Sequence, residues 1–256
     1  MIIVNDLIKE FELSRQQQKE LNTTEKIARA VDNVSFDCQP GRVFSLLGPN
    51  GAGKTTTMRM LSTIFKPTSG SIQIGGIDAV SDAQEARKKI GFLTGSTGLY
   101  ARLTPDELIN YFATLYGVPA DVREERKEHL YNLLGMHDFR GKRIGKLSTG
   151  MKQKVSICRT MIHDPEVVVF DEPTSGLDVI TAENIIQLIR DCKDQGKTVI
   201  FSSHIMSEVD LLCDDMAIIH KGKLLFSGTM DDFRSNMQAD NLTAEFIRIV
   251  QQNQNA

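Results

Sequence analysis

Apolar residues fall into three rhythms along this chain, and each predicts a different kind of element. Val167 to Phe170, apolar throughout, reads as a strand covered on both faces, Val43 to Leu47 as a buried strand and Thr198 to Ser202 as another strand. Weaker alternation over residues 1–11, through Val34-Ser35-Phe36, and at Ile72 and Ile74 ahead of Gly75-Gly76 predicts half-buried strands, the last closing a hairpin. A second hairpin is expected where Met216 to His220 and Lys223 to Phe226 flank Lys221-Gly222. A helical period puts Met58, Leu61 and Phe65 on one face until Pro67-Thr68-Ser69-Gly70 stops it, and makes Ile180 to Cys192 amphipathic. Between the first two strands the polar stretch 12–29, with Gln16-Gln17-Gln18, predicts an exposed loop or short helix.

From about Ile90 to His163 the character turns helical. Thr104-Pro105-Asp106-Glu107 has the chemistry of a helix start: a Thr cap, Pro in the first position and Glu placed for a capping box. Leu108, Tyr111, Phe112 and Leu115 follow on its apolar face, and a charged second helix carries Val122, Arg126, Leu130, Leu133 and Leu134. Strands alternating with helices on either side predict an α/β fold with a mainly parallel sheet, antiparallel additions and this helical subdomain, about 90–163, inserted. The main domain spans residues 1–230. Residues 231–256 form a short C-terminal helical tail, with its helix over Leu242 to Gln251.

Composition narrows the function. Over 256 residues, 41% hydrophobic and 25% charged content is that of an ordinary globular protein, and a net charge of -3 supplies no basic field for nucleic acid. Cys38, Cys158, Cys192 and Cys213 are scattered with no C-x-x-C pair, so neither a zinc site nor a disulfide framework is expected and all four read as reduced. No apolar run approaches the ~18 residues that span a bilayer, and the first residues lack the pattern of a signal peptide, so a cytosolic protein is expected whose membrane role comes through a partner.

The chemistry begins at Gly48-Pro49-Asn50-Gly51-Ala52-Gly53-Lys54-Thr55, which fits G-x-x-x-x-G-K-[ST] between a buried strand and a helix. Its glycines let consecutive backbone N–H groups turn toward phosphate oxygens, and the helix adds its positive end. Lys54 would reach the β- and γ-phosphates, Thr55 would hold Mg2+, and Thr56 continues the cradle. Asp171-Glu172 closes the strand Val167 to Phe170, where side chains emerge at the carboxyl edge of a parallel sheet. There Asp171 would hold Mg2+ through water and Glu172 would orient and deprotonate the attacking water. Leu147-Ser148-Thr149-Gly150-Met151-Lys152-Gln153 puts a Ser and a flexible Gly at another helix start, an anion site without its own lysine.

Together with Phe170-Asp171-Glu172-Pro173, Ser175-Gly176-Leu177-Asp178 and Ser202-Ser203-His204, these motifs come in the order and spacing of one family. Over residues 1–230 the chain resembles the nucleotide-binding subunit of ATP-binding cassette transporters, a P-loop NTPase fold. The resemblance implies two copies closing head to tail around ATP and Mg2+. Ser148 and Gly150 of one copy then cap the γ-phosphate held by Lys54 of the other, and Asp178 crosses the same interface. It also implies that His204 contacts the γ-phosphate, that Phe11 stacks on adenine, and that an integral membrane permease is a further partner, holding the chain at the cytoplasmic face of the membrane.

Three positions depart from the family pattern. Gly95 falls where the family has a glutamine, and Thr149 and Met151 replace the usual Gly and Gln of the signature. The segment Gly91 to Tyr100 followed by Arg102-Leu103-Thr104 resembles the sodium-extrusion subgroup, with Phe112, Tyr116 and Leu99 near where the family docks its membrane partner. Export of a drug, lipid or peptide is the alternative within transport. An ATPase acting on ribosomes or DNA is the alternative outside it, and usually carries two cassettes or a coiled-coil insertion that this chain lacks.

Overall fold

The computed structural model describes residues 1–20, 22–94, 98–175 and 177–253. The chain opens with β1 (Ile2–Glu12), α1 (Arg15–Glu20), β2 (Ile27–Cys38) and β3 (Val43–Leu47), then α2 (Lys54–Leu61), β4 (Ser69–Ile74) and β5 (Ile77–Asp78). After α3 (Ala83–Lys89) and β6 (Ile90–Thr94) come α4 (Pro105–Leu115), α5 (Ala120–Leu134) and α6 (Thr149–Met161). The remainder is β7 (Val167–Asp171), α7 (Val179–Asp194), β8 (Thr198–Ser203), α8 (Met206–Leu212), β9 (Asp215–His220), β10 (Lys223–Thr229), α9 (Met230–Ser235) and α10 (Leu242–Gln252).

Two sheets carry these elements. A four-stranded antiparallel sheet runs β2-β1-β4-β5, and a six-stranded sheet runs β10-β9-β3-β8-β7-β6, parallel except for the β9–β10 hairpin. All residues of β3, β7 and β8 are buried, the polar Ser45, Asp171, Thr198, Ser202 and Ser203 included, and the rest of each strand is apolar as cover on both faces requires. Alternate residues of β7 serve two cores: Val168 and Phe170 face the one shared with the helices, Val167 and Val169 the one shared with the antiparallel sheet.

The expected helix start at Thr104 is present in full. Its hydroxyl accepts from Glu107 N–H, and the Glu107 carboxylate accepts from Thr104 N–H at 2.8 Å. The polar stretch 12–29 holds the short exposed helix α1, and Cys38, Cys158, Cys192 and Cys213 are all free thiols. Three details differ from the pattern reading. Phe65 lies beyond α2, because Thr63 takes a left-handed φ of 59° and ends the helix. Ile90–Thr94, counted with the helical stretch, is a strand paired with β7 in the main sheet, so the helical elements begin after it. The tail holds α9 as well as α10.

Strand register does the functional positioning. Leu47 pairs with Ser203 and Asp171 with Ser202, so β3, β7 and β8 all release their next residues (Gly48, Glu172 and His204) at the same edge.

Candidate nucleotide site

Between β3 and α2 the backbone turns back through two left-handed glycines, Gly51 at φ 77° and Gly53 at φ 109°. Gly53 has a second constraint, since a Cβ there would lie 2.6 Å from the Ala30 carbonyl oxygen, and one on Gly48 would lie 2.3 Å from that of Ile219. The result is a cavity of about 170 Å³ lined by Ala30, Asn50, Gly51, Ala52, Gly53, Lys54, Thr55, Thr56 and Glu172. Lys54 is 4% exposed, and its ammonium donates to the carbonyls of Gly48 at 2.7 Å and Pro49 at 3.2 Å. A buried ammonium requires such acceptors and a counter-charge, and Glu172 Oε1 lies 3.4 Å away.

Asp171, at the end of β7, is buried and accepts from Thr55 Oγ1 at 3.1 Å and Ser202 Oγ at 2.7 Å. Ser202 Oγ in turn accepts from Glu172 N–H at 3.0 Å, so one hydroxyl ties together the ends of β7 and β8. Glu172 itself is left-handed at φ 49°, a strained conformation for a residue with a side chain and one that clusters at functional sites. Its Oε1 sits 3.3 Å from His204 Nδ1. Glu208 of α8 then braces the loops: its two oxygens accept from Thr174 Oγ1 at 2.5 Å and Ser203 Oγ at 2.7 Å.

Lys54, Thr55, Asp171, Glu172 and His204 are thus brought together at one sheet edge. Ser148, Gly150 and Asp178 do not line that cavity. Ser148 caps α6 by accepting from Met151 N–H at 3.2 Å. Asp178 caps α7, accepting from Thr181 N–H at 2.9 Å and Thr181 Oγ1 at 2.8 Å, and these donors hold its carboxyl below the ordinary carboxylate range. Gly150 and Asp178 are neighbours, since a Cβ on Gly150 would lie 3.5 Å from Asp178 Oδ2. Next to them Val179 and Ile180 are 85% and 75% exposed, an apolar pair facing outward. Phe11 is half-buried and meets Phe65 edge to face at 5.6 Å, with the Lys9 ammonium 5.0 Å from its ring. Gly95 and Gly176 lie outside the described residues.

Nothing in the motif pattern marks Ser202 as the link between two strand ends or Glu208 as their brace. The signal for Ser202 was its place two residues before His204 on a buried strand, where a hydroxyl needs a partner. Glu208 lies on α8, a seven-residue helix with no strong periodicity to announce it.

A second cavity, of about 310 Å³, opens where β6 meets α4 and α6, lined in part by Phe92, Phe112, Tyr116, Arg159 and His163. Leu99 is not in its lining and packs instead against the helical core.

Residues 31–175 match the family model described as ABC transporter. The chain is 40% identical over 223 residues to the ABC transporter ATP-binding protein NatA of Bacillus subtilis, covering 87% of this chain and 91% of that protein. It is 34% identical over 212 residues to the linearmycin resistance ATP-binding protein LnrL of the same organism, covering 83% and 68%. Among solved structures it resembles the dimeric structure of MJ0796, a bacterial ABC transporter cassette, with a TM-score of 0.78 at 25% identity, covering 90% of this chain and 99% of that one.

Proposed function

The chain belongs to the ATP-binding subunits of ABC transporters, and from that premise we propose that it powers an exporter which moves sodium ions outward through a separate integral membrane subunit. As an ABC-type transport ATPase it hydrolyses ATP. The observation that carries the catalytic assignment is the convergence of Lys54, Glu172 and His204 within 3.4 Å steps at one sheet edge.

In this reading the loop Gly48 to Thr56 holds the phosphates with backbone N–H groups, and Lys54 exchanges the Gly48 and Pro49 carbonyls for β- and γ-phosphate oxygens. Glu172 takes a proton from the attacking water, and His204, hydrogen-bonded to Glu172, orients that water and the γ-phosphate. Thr55 Oγ1 and Asp171 Oδ1, 3.1 Å apart, are hard oxygen donors that fit Mg2+, which takes few protein ligands and keeps its waters and phosphates. When bound, Mg2+ would neutralise phosphate charge. Phe11 offers its ring to adenine.

Dimer formation is what ABC cassettes such as MJ0796 do, and here it would bring Ser148, Gly150 and Asp178 of one copy over the loop of the other. The exposed pair Val179 and Ile180, beside Asp178, would be covered by that contact. No described helix is long and apolar enough to cross a membrane, so attachment to the cytoplasmic face would come through the permease, docked at the cavity of Phe92, Phe112 and Tyr116.

Sodium as the exported ion rests on the likeness of Gly91 to Thr104 to the sodium-extrusion subgroup, supported by the 40% identity to NatA. Export of a drug, lipid or peptide is the second reading, and the 34% identity to a linearmycin resistance protein favours it. Co-expression with the membrane subunit and sodium efflux from vesicles decides between them. Efflux should require ATP and disappear with Glu172→Gln; equal efflux from both proteins removes the sodium assignment.

A further inference from the structure

The cavity between β6, α4 and α6 is apolar in outline but carries an uncompensated charge. Arg159, on α6, is half-buried with its guanidinium 5.3 Å from the Phe112 ring centre. It makes no ion pair or hydrogen bond among the described residues. A second guanidinium, Arg87, lines the same cavity and among the described residues donates only to the Thr63 hydroxyl, at 2.8 Å. Among the described residues no Asp or Glu is in the lining, and Gly95, Ser96 and Thr97, which follow β6 in the chain, carry no carboxylate either. The neighbouring acid in sequence, Asp164, is already paired with Arg126 and Lys197.

A half-buried guanidinium has given up hydration and ordinarily recovers it from a carboxylate in fork geometry. Burial is the largest influence on Arg159 and pulls its pKa down, and the opposing groups are the hydroxyls of Tyr116 and Tyr100, not an acid. From the lining residue Phe112 an edge-to-face ring series runs outward through Tyr111, at 5.4 Å, to Tyr100, at 6.4 Å, and both tyrosines are more than half exposed. About 310 Å³ holds a few side chains of an inserted segment and lies near the lower bound of small-molecule pockets.

We propose that Arg159 is the anchor for a carboxylate on the membrane subunit, delivered by a cytosolic segment whose apolar side chains cover Phe92, Phe112 and Tyr116. This rests on the reading that the cavity docks that subunit. It adds the chemistry of the docked segment: an acidic residue flanked by apolar ones, its acid held by Arg159 with Arg87 at the rim. Charge complementarity sets the order of the two contacts, because the acid steers the approach while the rings supply the buried area.

The test is co-purification of the full chain with its co-expressed membrane subunit, read as complex recovered per chain, with thermal melting as the folding control. Arg159→Glu should lower recovery at least tenfold, and Arg159→Lys should retain an intermediate amount. In the Arg159→Glu background, exchanging one cytosolic acid of the membrane subunit for Lys should restore recovery. Undiminished complex with Arg159→Glu overturns the proposal, as does a loss that no acid-to-Lys exchange restores. Should Arg159→Glu fail to fold, Arg159→Gln replaces it and must show the same loss. Tyr116→Asp separates the two levels. If it abolishes the complex while Arg159→Glu does not, only the carboxylate anchor is wrong; if neither variant weakens it, the cavity is not the docking site.

Discussion

The Lys54 ammonium lies 3.4 Å from Glu172 Oε1, so the loop that would bind phosphate and the strand end that would activate water are in contact within one chain. The lysine is nearly inaccessible, whereas the carboxylate side chain is 28% exposed and also faces His204. Glu172 is therefore the group of the pair that an incoming water can reach.

Glu172→Gln keeps the shape and removes the proton acceptor. Its left-handed backbone is no worse for Gln than for Glu, so folding should be preserved. Turnover should fall by about 10²–10⁴, the range contributed by a positioned base, while ATP still binds and holds an ATP-bound dimer detectable by size-exclusion chromatography. A rate within a few-fold of the parent would remove Glu172 from the role of base.

Gly53→Ala and Gly51→Ala should separate conformation from close approach. Both positions are left-handed, but only at Gly53 would the new Cβ meet backbone, 2.6 Å from Ala30 O, whereas at Gly51 nothing lies within 4 Å. Strain at one such residue costs about 1–3 kcal/mol, and Gly53→Ala must displace the strand segment at Ala30 in addition. We expect a tenfold or greater loss of ATP affinity for Gly53→Ala and a smaller loss for Gly51→Ala, measured by calorimetric titration. The reverse order would mean that the approach of Ala30 does not shape the loop.

β3 and β7 were readable because a strand buried on both faces must be mainly apolar, and the start of α4 because Thr104, Pro105 and Glu107 each do a separate capping job. The phosphate loop was readable because only glycine suits its φ values. Ile90–Thr94 was absorbed into the helical stretch since its partner, β7, is about 77 residues away and leaves no local mark. Glu208 left little mark either: Ser203 is close in the chain, but Thr174, the partner that makes it a brace between two loops, is brought to it only by the folded sheet.

His163 predicts a loss of stability in acid. Burial lowers its pKa to about 4, and its Nε2 is 3.1 Å from the Ile90 carbonyl oxygen while its ring stacks on Tyr116 at 3.9 Å. Between that value and the ordinary value near 6.5 the unfolded chain takes up a proton that the folded chain refuses. Stability should therefore fall as pH drops through that window. His163→Phe keeps an aromatic ring against Tyr116 and removes the titration. It should lose roughly 1 kcal/mol at pH 8 with the hydrogen bond, yet show a shallower fall in melting temperature between pH 7 and pH 5. Parallel profiles for the two proteins would mean that His163 does not titrate differently on unfolding.

The separation of Ser148, Gly150 and Asp178 from the cavity of Lys54 makes the strongest prediction about assembly. If each site is built from two copies, damage to Ser148 and damage to Lys54 in one chain fall on different sites of the dimer. Ser148→Arg spoils the site of the partner copy, and Lys54→Ala spoils the site of its own. Each variant alone should then be inactive, because both sites of its homodimer contain a fault. In a mixed dimer the two faults meet in one site, and the other combines an intact loop with an intact Ser148. Random mixing yields about one half mixed dimers, so ATPase activity should return to a measurable fraction, roughly a quarter of the parent if single sites turn over independently. The recovery should follow the product of the two concentrations as they are varied. A mixture as inactive as its components at every ratio would show that Ser148 does not act across the dimer.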